Sequence, residues 1–201
     1  MPNPVLADLP TTIFEEMSGL ARQTGAVNLG QGFPDEPGPL AIRQKAAEAS
    51  ISGNNQYPPM RGIPELRAAV ASHYRRQGLD LDWQTSITVT SGATEALASA
   101  LLAFVEPGRA VVLFQPLYDA YAPLVRLAGG IPRFVTLTPP HWRLERAALE
   151  AVFDDDVAVV VVNNPCNPTG RVMDAAELAL LADFVSATTS SRSATRSGKR
   201  R

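Results

Sequence analysis

Residues 163–170 read Asn-Asn-Pro-Cys-Asn-Pro-Thr-Gly. Two amide–proline pairs in so short a run fix a rigid turn, and such a turn can present a side-chain amide in one direction. The run directly follows residues 157–162, Val-Ala-Val-Val-Val-Val, apolar at every position as in a strand covered on both faces. Ligands of open α/β sheets sit beyond the carboxyl ends of strands, so Asn167 is a candidate binding residue. The alternative is a turn that serves structure alone. A second candidate is Ser91-Gly92-Ala93-Thr94, between a β-branched run and a helical pattern. A helix N-terminus offers unpaired amides and a partial positive charge, which suits phosphate. Gly92 allows close approach, and the Thr94 hydroxyl adds a hydrogen bond. An ordinary strand-to-helix turn with an N-cap serine is the plainer reading.

The elements that position these turns follow from periodicity. Helices are expected over 39–52, 64–77, 93–104, 118–128 and 144–153, with a last one from Asp174 to about Val185. Strands are expected over 86–90, 110–114, 131–136 and 157–162. Strand alternating with helix predicts an α/β fold: three layers, α/β/α, around a largely parallel sheet. Glycines or prolines close most of the helices, and no internal repeat is seen.

The 201 residues suffice for a domain with a real core, and 45% apolar with 19% charged is ordinary for a globular chain. A net charge of −2 gives no footprint for nucleic acid. One cysteine, Cys166, excludes an intrachain disulfide and fits a reducing cytoplasm. The first ten residues lack the basic and apolar stretches of a signal peptide, and no run suits a membrane span. The tail, 186–201, carries Arg192, Arg196, Lys199, Arg200 and Arg201, no acid, and no apolar side chain larger than alanine. It is expected to be disordered.

Several segments together resemble the class I/II, fold-type I aminotransferases, which use pyridoxal 5′-phosphate (PLP). The 163–170 run is similar to their Asn-Pro-x-Asn-Pro-Thr-Gly motif. Asn28-Leu29-Gly30-Gln31-Gly32-Phe33-Pro34-Asp35 resembles their N-terminal substrate loop. Asn55-Gln56-Tyr57, with Gly62-Ile63-Pro64-Glu65-Leu66-Arg67 after it, resembles their tyrosine loop and following helix. Residues 91–97 resemble the phosphate cup, and Gln115-Pro116-Leu117-Tyr118 the aromatic segment that lies against the cofactor. The likeness covers about residues 25–185 and leans toward kynurenine–oxoglutarate and methionine aminotransferases, because of the Asn28–Asp35 run.

The resemblance implies a PLP-transferase-like large domain and transfer of an amino group between an amino acid and a 2-oxo acid. It implies that Ala93 and Thr94 hold the PLP phosphate, that Tyr118 lies over the pyridine ring and that Asn167 bonds its phenolic oxygen. Tyr57 is implied to reach the phosphate of a neighbouring subunit's cofactor, which requires a homodimer, and Gly32 to approach the substrate carboxylate. Each has a plainer alternative: Tyr118 as a packed aromatic, Tyr57 as an exposed loop residue, Gly32 as a turn glycine. Cys166 is read as a spacer, His73 and His141 as surface histidines, and Asp154-Asp155-Asp156 as a solvated turn rather than a metal site.

The family's Schiff-base lysine has no counterpart among the two lysines, Lys45 and Lys199. No catalytic residue is therefore assigned, and a truncated large domain is expected, inactive alone. Its organisation is expected to be an arm and substrate loop over 1–35, a partial PLP-binding domain over 36–185, and the tail. A one-base shift in reading phase at the Ser186 codon permits codons for a strand-like string containing Asp-Glu. That string resembles the family's next strand, so the tail is read as a frameshift. The competing readings are a non-catalytic or dimerising remnant, a carbon–sulfur β-lyase on the same scaffold, and a nucleotide-binding domain. The last would need a Gly-x-Gly-x-x-Gly or P-loop run, and neither is present.

Overall fold

The computed structural model describes residues 3–7, 9–32, 34, 36–53 and 55–198, with backbone alone from 189 onward. Phe33 and Asp35 of the expected substrate loop lie outside the described residues, as do Lys199, Arg200 and Arg201 of the tail. The chain divides into two units, residues 1–9 with 92–201, and residues 10–91.

The first unit opens with a short helix α1, Pro4–Ala7. The second unit holds α2 (Ile13–Thr24), α3 (Leu40–Ser52), α4 (Pro64–Arg75) and α5 (Trp83–Ser86). Sequence periodicity did not reveal α2, yet its caps are legible. Thr12 accepts from the Glu15 amide, and Gly25 closes the helix at φ 65°. Helix α4 begins on Pro64, whose missing N–H costs nothing at a first helical position.

The strand expected over 86–90 is corrected by the structure. Asp82 caps α5, accepting from the Gln84 amide at 2.9 Å and from the Thr85 hydroxyl at 2.8 Å, which draws Ser86 into a helical turn. Those two bonds, the Gln84 amide first, hold the Asp82 carboxyl below its ordinary value. Residues 87–90 form no regular strand. They are tied instead to the segment before α4, with the Val89 amide donating to Arg61 O at 3.0 Å. Arg67, buried on α4, completes the link by donating to Ile87 O (2.9 Å), Trp83 O (2.7 Å) and Gln84 O (2.8 Å).

Gly62 makes this approach possible. Its φ is +95°, and a Cβ there would stand 2.5 Å from Val89 Cγ2. Gly62→Ala is expected to destabilise this unit by about 1–3 kcal/mol, through strain and overlap together. Thermal unfolding checks it; an unchanged midpoint would mean that neither the positive φ nor the overlap with Val89 matters there.

In the first unit α6 (Gly92–Phe104), β1 (Ala110–Gln115), α7 (Tyr121–Leu127), β2 (Ile131–Thr136), α8 (Arg146–Glu150), β3 (Val157–Val161) and α9 (Ala175–Gly198) follow in order. The strands form one parallel sheet, ordered β2-β1-β3. Central β1 is buried along most of its length, and its pleat sends alternate side chains to opposite faces. Val111 and Leu113 pack with Leu101 of α6 and Val125 of α7. Ala110, Val112 and Phe114 pack with Leu149 of α8 and Leu181 of α9. Helices therefore cover both faces, and the three-layer α/β expectation holds.

Two boundaries differ from expectation. Helix α7 starts at Tyr121, which leaves Tyr118 on the loop after β1. Helix α9 runs to Gly198, which corrects the expectation of a disordered tail over 186–201 as far as the described residues reach. No glycine or proline interrupts the helix before Gly198, so nothing local stops it.

Candidate functional site

The carboxyl ends of parallel strands open onto loops, and Tyr118 and Asn167 lie on the loops that follow β1 and β3. Helix α6 returns to the start of β1 through residues 105–109 while packing on the sheet face, so it runs antiparallel to β1. Its 13 residues rise about 20 Å, and six-residue β1 spans about 20 Å. The N-terminus of α6, with Gly92, Ala93 and Thr94, thus comes level with the carboxyl end of β1. Ala93 and Thr94 are exposed, and a Cβ built on Gly92 meets nothing within 4 Å. The glycine is needed there for its φ of +80° rather than for want of room.

Tyr118 follows the end of β1, half-buried, with its ring edge-on to Tyr121 at 5.7 Å. Burial, then the proximity of Cys166 and Tyr118, pushes the Tyr121 phenol up. Asn167 follows β3 and is exposed. Its amide donates to Asn163 Oδ1 at 2.8 Å, so one asparagine of the turn fixes the backbone of another. The Gly170 amide donates to Cys166 O at 2.7 Å, closing the turn. Cys166, read as a spacer, also contacts Pro116 O through Sγ at 3.6 Å, joining the turns after β3 and β1. Asn163, Cys166, Asn167 and Thr169 line a cavity of ≈ 20 Å³ with Pro116, Leu117 and Tyr121.

Sequence reasoning missed what holds this turn from behind. Arg171 donates from Nε to His141 O at 3.0 Å and from Nη2 to Glu177 Oε1 at 2.6 Å. Glu177 is buried and also accepts from the Leu144 amide (2.7 Å) and the Asp174 amide (3.0 Å). Asp174 in return accepts from the Glu177 amide at 2.9 Å, the reciprocal pattern of a capping box. Burial alone would raise the Glu177 pKa, but Arg171 and the two amides outweigh it, and the carboxyl is held below its ordinary value. The Asp-x-x-Glu spacing at 174–177 was the signal available in the sequence.

Of the other expected binding residues, Gly32 and Tyr57 belong to the second unit. Gly32 stands in open space, on a loop fastened to α2. Asn28 Nδ2 donates to Ser18 Oγ at 3.0 Å, and Ser18 Oγ donates to Gln31 Oε1 at 3.2 Å. Tyr57, between α3 and α4, is 99% exposed. Lys45 pairs with Glu48 at 2.7 Å on the surface of α3. His73 and His141 are exposed. Asp154 pairs with Arg133 at 2.7 Å and accepts from the Asp156 amide, which make the acidic run a tied turn. Among the described residues there is no cluster of three or more His, Cys, Asp or Glu fit to hold a metal ion. Nor is any helix among them long and apolar enough to cross a membrane.

Known aminotransferases resemble this chain in sequence and in fold. The probable N-succinyldiaminopimelate aminotransferase of Mycobacterium tuberculosis is 48% identical over 177 residues, covering 87% of this chain and 45% of the relative. The methionine aminotransferase of Escherichia coli is 43% identical over 182 residues, covering 90% and 47%. The solved structure of the M. tuberculosis N-succinyldiaminopimelate aminotransferase superposes with a TM-score of 0.88 at 45% identity, over 94% of this chain and 50% of that one. The chain spans about half the length of the curated relatives it matches. The family model "Aminotransferase class I and II" matches residues 24–190, and the chain belongs to that family.

Proposed function

We propose that this chain carries the phosphate- and ring-binding half of a PLP site, in an enzyme that moves an amino group between an amino acid and a 2-oxo acid. The observation that carries the reading is the tie between the turn after β3, which bears Asn167, and the loop after β1, which bears Tyr118, made by Cys166 Sγ on Pro116 O in a chain of this family. The residues suit the group. Open space beside Gly92, exposed Ala93 and Thr94, and the first amides of a long helix match a phosphate. A half-buried tyrosine suits one face of an aromatic ring. An exposed carboxamide on a braced turn suits a phenolic oxygen, to which Asn167 would donate.

When bound, PLP supplies an electron sink for bond changes at the amino acid's α-carbon. The chain's own residues bind and orient: Ala93 and Thr94 fix the phosphate, Tyr118 limits ring tilt, and Asn167 holds the phenolic oxygen. Gly32 is proposed to offer its backbone to the substrate carboxylate. Tyr57, almost wholly exposed, is proposed to serve the phosphate of a second copy's cofactor.

Titration of the 201-residue chain with PLP, followed by absorbance and by tryptophan fluorescence, tests the reading. Saturable binding is expected, displaced by inorganic phosphate. Thr94→Ala, which removes one hydroxyl donor, is expected to weaken it roughly tenfold. Binding that never saturates, or that ignores phosphate, would overturn the proposal. The two lysines are Lys45, paired on the surface of α3, and Lys199. Mass spectrometry after borohydride treatment at stoichiometric PLP is therefore expected to find no covalent adduct within residues 92–185.

A further inference from the structure

We propose that Arg171 and Glu177 are positioning residues for the cofactor turn, acting through Asn167 and touching no ligand themselves. This rests on the PLP reading of Asn167. Arg171 closes the turn from its far side: its carbonyl accepts from the Cys166 amide at 2.9 Å, and its amide donates to Thr169 Oγ1 at 3.3 Å. Its side chain then leaves the turn for Glu177 and His141 O. Glu177 is fixed by the capping box at the start of α9, and α9 is packed on the sheet through Leu181 and Phe184. A second tie runs beside the first, with the Met173 amide donating to Asn164 Oδ1 at 2.9 Å. The turn thus hangs between β3 and α9, and the ion pair sets its height.

The pair is built for orientation. Arg171 presents a planar fork, and Nη2 reaches both carboxylate oxygens of Glu177. Nε on His141 O and Nη2 on Glu177 use two nitrogens of one rigid plane, which fixes direction as well as distance as a lysine's single ammonium does not. Arg171 also lines the cavity that Asn163, Asn167 and Thr169 line. A shift of the guanidinium is therefore transmitted to the residues that carry Asn167.

A double-mutant cycle in the 201-residue chain tests this, with PLP as the probe. Arg171→Lys and Asn167→Ala are compared singly and together, each checked for folding by circular dichroism. Each single change is expected to weaken PLP binding roughly tenfold, and the pair no more than Asn167→Ala alone. Amide exchange at Cys166 and Gly170 is expected to quicken in Arg171→Lys. Arg171→Met, which removes the cation, should give the same coupling if it folds. Equal losses for Arg171→Lys with and without Asn167 would overturn the inference, because a purely structural role adds. So would unchanged PLP affinity in Arg171→Lys beside a normal loss in Asn167→Ala, which leaves the PLP reading standing. An Asn167→Ala chain that binds PLP as well as the parent removes the reading of Asn167 and this inference with it.

Discussion

Glu177→Ala is expected to cost about 3–5 kcal/mol of folding stability, because it strands a largely buried guanidinium. Glu177 is 6% exposed, and it accepts from Arg171, from the Leu144 amide and from the Asp174 amide. Alanine removes all of these at once and leaves Arg171 with only His141 O for its Nε. Arg171 Nη1 already has no hydrogen-bond partner among the described residues, so nothing nearby takes up the slack. Against a total of about 5–15 kcal/mol for a typical domain, the loss is a large fraction. Urea unfolding followed by circular dichroism measures it, and a change below about 1 kcal/mol would show that the pair is dispensable.

The same carboxylate gives a pH signature. Its folded pKa lies below its ordinary value, so the stabilisation is fully present above the unfolded value of about 4.3. It is lost as pH falls through that value toward the folded one. The parent chain is therefore expected to lose more stability between about pH 5 and pH 3 than Glu177→Gln does. Glutamine keeps the shape and an acceptor oxygen but has nothing to titrate. Parallel slopes for the two chains would mean that other carboxylates govern acid unfolding.

The parts of this fold that were legible are those whose cause is local. Val157–Val161 is apolar at every position, and a strand covered on both faces requires that. Helix α6 announced itself through small and apolar residues ended by Glu106-Pro107-Gly108. Residues 86–90 failed for the opposite reason. Their β-branched pattern suits a strand, but the Ser86 amide donates to Asp82 O at 2.8 Å, and Arg67 claims the carbonyl of Ile87. No partner strand takes the segment among the described residues, and neighbours, not propensity, decide pairing. Tyr118 was placed on a helix because the periodicity runs through it, whereas the structure starts α7 at Tyr121.

The candidate site divides in the same way. Asn167 on the turn after β3 and Thr94 in the first turn of α6 stand where turn chemistry and a helix start place them, because both leave short local signatures. Arg171 was not, because its partners His141 and Glu177 are brought to it only by the fold. A side chain that acts by bracing a turn carries no motif of its own. Its role follows from burial and from an acceptor, His141 O, that lies 30 residues away.

Leu113→Ala is expected to be the other large loss, about 2–5 kcal/mol. Leu113 is 0% exposed, on the central strand, and packs with Leu101 of α6 and Val125 of α7. Alanine forfeits the transfer free energy of the missing atoms and leaves a void that a parallel sheet, hydrogen-bonded on both sides of β1, cannot close by moving. Leu149→Ala is the partner test on the opposite face, where a residue of equal burial on α8 packs with Val112 and Phe114 of β1. Leu102→Ala, on α6 but 66% exposed, is the control and should stay within about 0.5 kcal/mol. Chemical denaturation of the three variants reads the layers separately. Comparable large costs at Leu113 and Leu149 are what a sheet buried on both faces demands, whereas a small cost at either would mean that its helical layer does not pack. The α6 side carries a further consequence. Leu101 and Leu113 hold the helix whose first turn bears Thr94, so Leu113→Ala should weaken PLP binding even where the chain remains folded. Leu149→Ala, equally destabilising but remote from α6, should do so less, and equal weakening by both would mean that affinity tracks general stability and not the seating of that helix.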